Sequence, residues 1–342
     1  MTARILFVVD AGPQVGGGHV MRSLTLAQAL EARGATCLFA APPAVAAVLA
    51  AFAPRTATRS LPDLSPQDLA QAAQALAQDA EAVVIDHYGL GAAEHRRISS
   101  LPTLVIDDLA DRPLGADLVL DSGPARRAED YAGLVPPGAT LLLGPAYAPV
   151  RPAFAALREA ALARRAAGGP VRRILVSLGL TDVGAITARV VERLLPRIGE
   201  TALDVVLGGG APSLPALRAI EDPRLTLHVD TQAMPRLTLE ADLAVGAGGS
   251  TSWERCILGL PTLTLVLAAN QVAAATALAT AGAGLVLDVA APDFGSDFDR
   301  LIDRLLADPD LRAALSRTSA QVCDGGGAAR AADALLALIA RV

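Results

Sequence analysis

The stretch VGGGHVMRSLTLAQAL, residues 15–30, decides the fold. It follows RILFVV (4–9), a short apolar run that is typical of a buried parallel strand. Three glycines then lead into a segment whose apolar residues, from Val20 to Leu30, recur at helical spacing. A strand, a glycine-rich turn and a helix in this order predict the opening of a doubly wound α/β domain.

Short apolar runs alternate with helical patterns along the rest of the chain. In the first half, the further strand candidates are TCLFA (36–40), AVVID (82–86), TLVID (103–107), DLVLD (117–121) and TLLLG (140–144). In the second half they are RILVSL (173–178), ALDVVLG (202–208), LTLHV (225–229), DLAVGA (242–247), TLTLVL (262–267) and GLVLDV (284–289). This alternation predicts an α/β fold with two Rossmann-like, doubly wound domains.

A breaker cluster from Gly168 to Pro170 separates the two halves. We therefore expect one domain over residues 1–152 and a second over residues 170–342, whose last helix could return to the first domain. Ligands of such folds bind beyond the carboxyl ends of the strands. Two domains that face each other would form a binding cleft between those ends.

The composition excludes several classes of protein. The formal net charge of −6 disfavours a nucleic-acid-binding protein. The three cysteines, Cys37, Cys256 and Cys323, lie far apart, which argues against a disulfide framework or a structural zinc site. The sequence opens on a strand pattern and contains no apolar run of about 18 residues, so neither a signal peptide nor a membrane span is expected. We expect a soluble, cytoplasmic protein.

The loop Gly16–Gly18 has the features of an anion-binding site. Glycines let the backbone approach a ligand closely, and a helix that begins near His19 offers unpaired N–H groups and a partial positive charge. The spacing is neither G-x-G-x-x-G nor that of a Walker loop, so neither a dinucleotide nor a P-loop site is predicted.

His19 is the candidate catalytic residue. The helix dipole disfavours the imidazolium form at this position, and a neutral histidine beside an anion site suits the activation of water. The negative charge of a nearby diphosphate would instead favour the imidazolium form of His19. The alternative interpretation is a histidine that caps the helix or packs in the core.

Two further clusters follow strands of the first half. Asp86, His87 and Tyr88 are candidates for a ligand site or, equally, for a turn with a helix cap. Asp107 and Asp108 could bind a divalent metal or substrate hydroxyls, or serve as caps. Because successive residues of a strand point to opposite faces, these two carboxylates are not expected to act as a close pair.

The stretch GAGGSTSWERCILGLPTL (246–263) is the second strong signal. Its loop from Gly248 to Thr251 could hold a second anionic group through amides and hydroxyls. Glu254 could complement the helix dipole or accept hydrogen bonds from a sugar diol. Trp253 and Cys256 are expected to pack in the core. After the next strand, Asn270 and Gln271 could contact a ligand or cap a helix.

Taken in order, these motifs resemble one known family. The stretches that carry the resemblance are VGGGHVMRSLTLAQAL (15–30), IDHYGL (85–90), IDDLADR (106–112), YAGLVPPGATLLLGPAYAPVRPAF (131–154), GAGGSTSWERCILGLP (246–261), NQ (270–271) and CDGGGAAR (323–330). They are similar to those of the UDP-2,4-diacetamido-2,4,6-trideoxy-β-L-altropyranose hydrolases of pseudaminic acid biosynthesis.

The resemblance implies a GT-B fold and hydrolysis of a UDP-sugar at its anomeric carbon, with UDP leaving. We expect water activated by His19 to attack from the face opposite UDP and so to invert the configuration. The first domain would bind the sugar and the second UDP. The resemblance implies no metal and no organic cofactor. It further implies a role in flagellin or surface-polysaccharide glycosylation, and we expect a monomer or weak dimer. His19 would be catalytic, and the substrate-binding residues would be Asp10, Gly17, Gly18, Arg22, Tyr88, Gly248, Gly249, Ser250, Thr251, Glu254, Asn270 and Gln271.

Three residues depart from the family pattern. Val8 stands where the family commonly has arginine, and Leu180 and Ala185 replace glycine and asparagine. The exact sugar is therefore left open. A glycosyltransferase of the same fold and a catalytically inactive nucleotide-sugar binder remain alternatives.

Overall fold

The computed structural model describes residues 2–12 and 15–341. The chain divides into two compact units. The first contains the residues up to Val150 and those from Gly326 onward, and the second is Arg151–Gly325. In both units, helices alternate with the strands of an entirely parallel sheet, as the sequence predicts.

The first unit is built on a seven-stranded sheet in the order β3-β2-β1-β4-β5-β6-β7. Its strands are β1 (Arg4–Val9), β2 (Thr36–Ala41), β3 (Thr58–Ser60), β4 (Ala82–Asp86), β5 (Thr103–Ile106), β6 (Leu118–Asp121) and β7 (Thr140–Leu143). Strand β1 pairs with β2 on one side and β4 on the other, with Ile5 opposite both Cys37 and Ala82. The chain reverses its winding at β1, which makes the β1–β4 edge the expected ligand position.

Helices cover both faces of this sheet. They are α1 (Gly18–Glu31), α2 (Pro43–Phe52), α3 (Pro66–Ala77), α4 (Ala92–Ile98) and the last helix of the chain, α13 (Gly327–Ile339). Prolines begin α2 and α3, where their missing N–H has no intrahelical partner. In the core, the rings of Phe7 and Phe39 stack with their centroids 4.7 Å apart, and α13 adds Ala331, Ala332 and Leu335.

The second unit has a six-stranded sheet in the order β10-β9-β8-β11-β12-β13. Its strands are β8 (Arg173–Ser177), β9 (Ala202–Leu207), β10 (Leu225–Val229), β11 (Leu243–Ala247), β12 (Thr262–Val266) and β13 (Leu285–Asp288). Its helices are α5 (Pro152–Ala166), α6 (Ile186–Leu194), α7 (Leu214–Arg218), α8 (Met234–Glu240), α9 (Thr251–Ile257), α10 (Val272–Thr280), α11 (Phe294–Ala307) and α12 (Pro309–Val322). The winding reverses between β8 and β11.

Two arginines, one half-buried and one buried, stabilise helix ends in the second unit. Arg158 donates hydrogen bonds to the main-chain oxygens of Ile257, Ala320 and Cys323, which close α9 and α12. Arg312 donates in the same way to Leu305 and Leu306. Helix C-termini present carbonyls without intrahelical donors, so these guanidinium groups satisfy them.

The predicted doubly wound α/β architecture is confirmed in both units, and every strand candidate coincides with an observed strand to within about one residue at each end. One observed strand, β3, has no counterpart among the candidates, because the sequence pattern did not predict it. Its residues, Thr58 to Ser60, are exposed and show no apolar run. Trp253 and Cys256 are buried, as expected. Among the described helices, none combines the length and the apolar character that crossing a bilayer requires.

Candidate active site

Polar side chains of the first unit converge beyond the carboxyl ends of β1, β4 and β5. Asp10 follows β1, Asp86 ends β4 and Asp108 lies just beyond β5. The amide of Asp10 donates to the main-chain oxygen of Asp86 at 2.9 Å. His19 and Arg22 reach the same edge from the first turns of α1. The reversal of winding at β1 therefore brings residues far apart in the sequence to one place.

His19 is held by a carboxylate. Its Nδ1 lies 2.7 Å from Oδ1 of Asp86, and the two residues are only 5% and 0% exposed. A carboxylate at Nδ1 selects the tautomer that carries its proton there, which leaves Nε2 with a lone pair. The sequence pattern predicts a ligand-site or turn role for Asp86, whereas the structure makes it the partner of His19. The imidazole is therefore oriented by a side chain as well as by the helix end.

Arg22 binds two carboxylates of this edge. Its Nε and Nη2 lie 2.7 and 2.6 Å from the carboxylate oxygens of Asp86, and its Nη1 lies 2.9 Å from Oδ2 of Asp108. Burial opposes ionisation of Asp86, but the charge of Arg22 and the hydrogen bonds from Arg22 and His19 outweigh it and hold the pKa of Asp86 well below its usual range. Burial likewise opposes ionisation of Asp108, yet Arg22 and the Tyr88 hydroxyl keep its pKa low.

Tyr88 closes the arrangement. Its hydroxyl donates to Oδ1 of Asp108 at 2.6 Å, and its ring meets the His19 ring edge-on with centroids 4.5 Å apart. Contacts thus run from His19 through Asp86, Arg22, Asp108 and Tyr88 back to His19. We call these five residues the His19 cluster. The closed circuit fixes the imidazole from two sides.

Asp107 belongs to a different network, as its position on the strand predicted. Its carboxylate accepts hydrogen bonds from Arg112 at 2.8 Å and from the Tyr131 hydroxyl at 2.9 Å. Arg112 also donates to the main-chain oxygen of Leu90 at 3.0 Å. This network holds the loop after β4 in place, and Asp107 and Asp108 do not act as a pair.

His87 and Asp10 lie beside the His19 cluster. Nδ1 of His87 accepts a hydrogen bond from the amide of Gly89 at 3.0 Å and lies 3.9 Å from Oδ2 of Asp10. Burial lowers the pKa of His87, against the attraction of Asp10. Because Nδ1 of His87 accepts from Gly89, the ring carries its proton on Nε2.

The glycines of the first loop leave backbone donors available. Gly17 precedes α1 and Gly18 begins it, and no described side chain caps this helix end. Within the described part of the chain, the amides of Gly17 and Gly18 donate to no acceptor. Gly16 has a φ of +70°, a conformation that favours glycine. The loop thus offers N–H groups directly beside His19.

The second predicted loop, residues 248–251, lies between β11 and α9 in the second unit. The amides of Gly249, Ser250 and Thr251 donate to no acceptor among the residues that the structure describes. A Cβ on Gly248 would lie 3.2 Å from Cβ of Gln271, whereas one on Gly249 would meet nothing within 4 Å. The 248–251 loop is therefore closely packed on one side and open on the other, with three donors unused.

Glu254 offers an unused acceptor close to this loop. Its Oε1 accepts a hydrogen bond from Nε of Arg151 at 2.9 Å, and its side chain is 13% exposed. Its Oε2 is buried and has no hydrogen-bond partner among the described residues. Buried polar atoms are rarely left unpaired, so this oxygen is an acceptor that a ligand hydroxyl could satisfy.

The last two predicted residues follow β12. Oε1 of Gln271 accepts a hydrogen bond from the amide of Leu267 at 3.0 Å, so this amide side chain fixes the turn. Asn270, one residue earlier, is exposed. Among the described residues, no group of three or more His, Cys, Asp or Glu side chains is arranged to hold a metal ion.

The sequence did not single out Arg255 as a site residue. It is 4% exposed and donates hydrogen bonds on both sides of the 248–251 loop. The only sequence signal is its place one residue after Glu254, on a short helix that also buries Trp253, Cys256 and Ile257. Nothing in that pattern distinguishes a buried arginine from a solvated one.

Solved structures similar to this chain share its two-domain architecture. MurG of Acinetobacter baumannii superposes with a TM-score of 0.66 at 16% identity, over 98% of this chain and 100% of MurG. The spinosyn forosaminyltransferase SpnP superposes with a TM-score of 0.68 at 17% identity, over 99% of this chain and 100% of SpnP. The chain has the GT-B fold, with two Rossmann-like domains, as predicted.

Sequence comparison gives two relatives, although no family model matches the chain. The spore coat polysaccharide biosynthesis protein SpsG of Bacillus subtilis is 31% identical over 193 residues, which are 55% of this chain and 55% of SpsG. The match thus spans about half the length of SpsG. The UDP-2,4-diacetamido-2,4,6-trideoxy-β-L-altropyranose hydrolase of Campylobacter jejuni is 23% identical over 285 residues, 82% of this chain and 97% of that protein. The motif resemblance to these hydrolases is confirmed by this relative.

Proposed function

We propose that the chain is an enzyme that acts on a UDP-sugar, and that it hydrolyses a UDP-linked diacetamido-trideoxy sugar of the pseudaminic acid type. The contact between His19 and Asp86 is the observation that carries this proposal. A histidine oriented by a buried carboxylate, with Nε2 left as a base, can take a proton from water. The name of the Campylobacter relative supports the substrate class.

The 248–251 loop would bind the diphosphate of UDP. Its three unused amides can donate to phosphate oxygens without a metal ion. The free Oε2 of Glu254 would accept hydrogen bonds from the ribose hydroxyls, which would satisfy that buried atom. Asn270 and Gln271 lie after the neighbouring strand β12 and would contact the same ligand.

In the chemical step, His19 would act as the general base. Its Nε2 takes a proton from a water molecule while the water oxygen attacks the anomeric carbon from the face opposite UDP. The bond between that carbon and the diphosphate oxygen breaks, and UDP leaves with the electron pair. Asp86 stabilises the imidazolium that forms. Attack from the opposite face inverts the anomeric configuration.

The remaining predicted residues would support this step. Tyr88 and Arg22 hold His19 and Asp86 in place through their contacts in the His19 cluster. Asp10 and the amides of Gly17 and Gly18 lie beside His19 and would contact the sugar or the attacking water.

A product assay tests the proposal. The purified chain is incubated with a panel of UDP-diacetamido-trideoxy sugars without any acceptor, and products are identified by mass and NMR. We expect UDP and free sugar in equal amounts, with the first-formed anomer inverted. Free sugar absent from every reaction, while UDP still binds, would refute the hydrolase assignment.

A glycosyltransferase is the second candidate, because the neighbour SpnP has the same fold and bears a transferase name. An alcohol would then take the place of water. UDP release that begins only after an alcohol acceptor is added would favour this alternative.

A further inference from the structure

Arg255 is a buried cation that forms no ion pair with a described carboxylate. It is 4% exposed, and no carboxylate of the described chain lies within ion-pair distance of it. Glu254, its neighbour in sequence, pairs with Arg151 instead. Burial lowers the pKa of Arg255 to about 10, so its guanidinium is still charged at neutral pH.

The guanidinium of Arg255 spans the base of the 248–251 loop. Its Nη2 donates to the main-chain oxygen of Ala247 at 2.7 Å and to Oγ of Ser252 at 3.1 Å. Its Nη1 donates to Oγ1 of Thr251 at 3.0 Å. Ala247 immediately precedes the glycines of the loop, and Thr251 and Ser252 lie beyond Ser250, at the start of α9. One side chain therefore fixes both ends of the turn that carries the unused amides.

Gly246 makes room for this arrangement. A Cβ at Gly246 would overlap the guanidinium of Arg255, so the arginine lies directly against the backbone of β11. Glycine is required inside this buried strand because the guanidinium of Arg255 approaches the backbone closely.

Neutral acceptors compensate only part of the cost of burying a charge. An anion held on the amides of Gly249, Ser250 and Thr251 would supply the opposite charge that the protein lacks at this place. Arg255 supports these amides from the protein side, so its charge and the loop donors act on the same ligand.

We propose that Arg255 is a positioning residue for the phosphate groups of the ligand: it shapes the 248–251 loop, and its buried charge strengthens binding in proportion to the charge of the ligand. This inference rests on the proposed function, because it takes the loop to be the diphosphate site. It assigns a role that the resemblance does not assign to this residue.

The test compares uridine, UMP and UDP by titration calorimetry with the full chain. For Arg255→Met, we expect UDP affinity to fall about tenfold or more, UMP affinity to fall less, and uridine affinity to stay within about twofold. Arg255→Lys keeps the charge and loses the planar fork, so it should retain most of the discrimination between UDP and uridine. Arg312→Met is the matched control, since Arg312 is also buried and donates to main-chain oxygens, and it should leave all three affinities unchanged.

Equal losses for uridine, UMP and UDP in Arg255→Met would reduce Arg255 to a structural residue and overturn the inference. Unchanged UDP binding would overturn it as well, as would a wild-type chain that binds no UDP. If Arg255→Met fails to fold, as judged by circular dichroism and thermal melting, the lysine variant decides by the same ratio of affinities. A wild-type chain that binds UDP and releases no sugar would refute the hydrolase and leave this inference standing.

Discussion

The His19 cluster and the 248–251 loop occupy equivalent places, each beyond the carboxyl ends of strands where the winding of a sheet reverses. They consist of different chemical groups. In the His19 cluster, charged side chains are paired with one another, as Asp86 is with both His19 and Arg22. In the loop, three backbone amides have no acceptor among the described residues, and one buried arginine has no carboxylate.

The difference follows from what each region would do. Proton transfer requires a base whose orientation is set before the substrate arrives, so its partners are supplied by the protein. Binding an anion requires donors that the protein leaves unsatisfied, so that the ligand is the best available acceptor. Substitutions in the two regions should therefore change different measured quantities.

The largest effect is expected for His19→Ala. Loss of the general base should lower the rate of UDP-sugar hydrolysis by about 10²- to 10⁴-fold, while UDP affinity stays unchanged. Rates are measured by UDP release and affinity by calorimetry. His228→Ala is the control, because His228 pairs with Asp204 in the second unit and belongs to neither the His19 cluster nor the 248–251 loop. A His19→Ala variant that hydrolyses the UDP-sugar at the wild-type rate would show that His19 is not the general base.

Asp86→Asn should come close behind. An asparagine holds the imidazole less firmly and does not stabilise an imidazolium, so we expect a loss of about 10²- to 10³-fold in hydrolysis rate with UDP affinity intact. If UDP affinity fell and the hydrolysis rate did not, Asp86 would contribute to ligand binding and not to proton transfer.

The same variant predicts a pH dependence of stability. The pKa of Asp86 is lowered in the folded chain, so its ionised form stabilises the fold above about pH 4 and that contribution is lost as the pH falls. The difference in urea-unfolding free energy between the wild-type chain and Asp86→Asn should therefore shrink from pH 7 to pH 3. A difference that grows on acidification would contradict the charge pairing with Arg22.

Glu254→Ala sharpens the other side of the comparison. Removing the ribose acceptor should weaken uridine and UDP about equally, by roughly tenfold, since a hydrogen bond to a charged group is lost. Calorimetry with both ligands distinguishes this from the charge-dependent loss expected for Arg255. Glu240→Gln, whose glutamate pairs with Arg236 on an exposed surface, should change neither affinity. A loss confined to UDP would place Glu254 at the phosphates.

The smallest effect concerns Ala185, one of the departures from the family pattern. Its φ of +52° is left-handed, a conformation that alanine adopts reluctantly and asparagine tolerates. Ala185→Asn should stabilise the chain by about 0.5–1 kcal/mol, measured by urea unfolding. Ala188→Asn, inside the helix that follows, should destabilise it. The reverse ranking would show that the left-handed backbone is not retained.

Much of the fold could be read from the sequence, because buried parallel strands leave short apolar runs that few other structures leave. Strand β3 could not, since three exposed polar residues carry no such signal. His19 and the 248–251 loop were predicted from glycines that precede helices. The partners of His19 were not, because Asp86 and Asp108 reach it only through the order β1-β4-β5 in the sheet. Which strands lie side by side in the sheet depends on its topology, and residue patterns along the chain do not show that order.

The return of α13 to the first unit sets an order on biosynthesis. The second unit is contiguous in sequence and can complete its core as soon as Gly325 has left the ribosome. The first unit, although translated earlier, lacks the packing of Ala331, Ala332 and Leu335 and the contact from Arg33 to Asp333 until the final helix emerges. The half that carries the paired charges is thus the last to be finished, and a ribosome that stalls before α13 leaves its apolar sheet face exposed to chaperones.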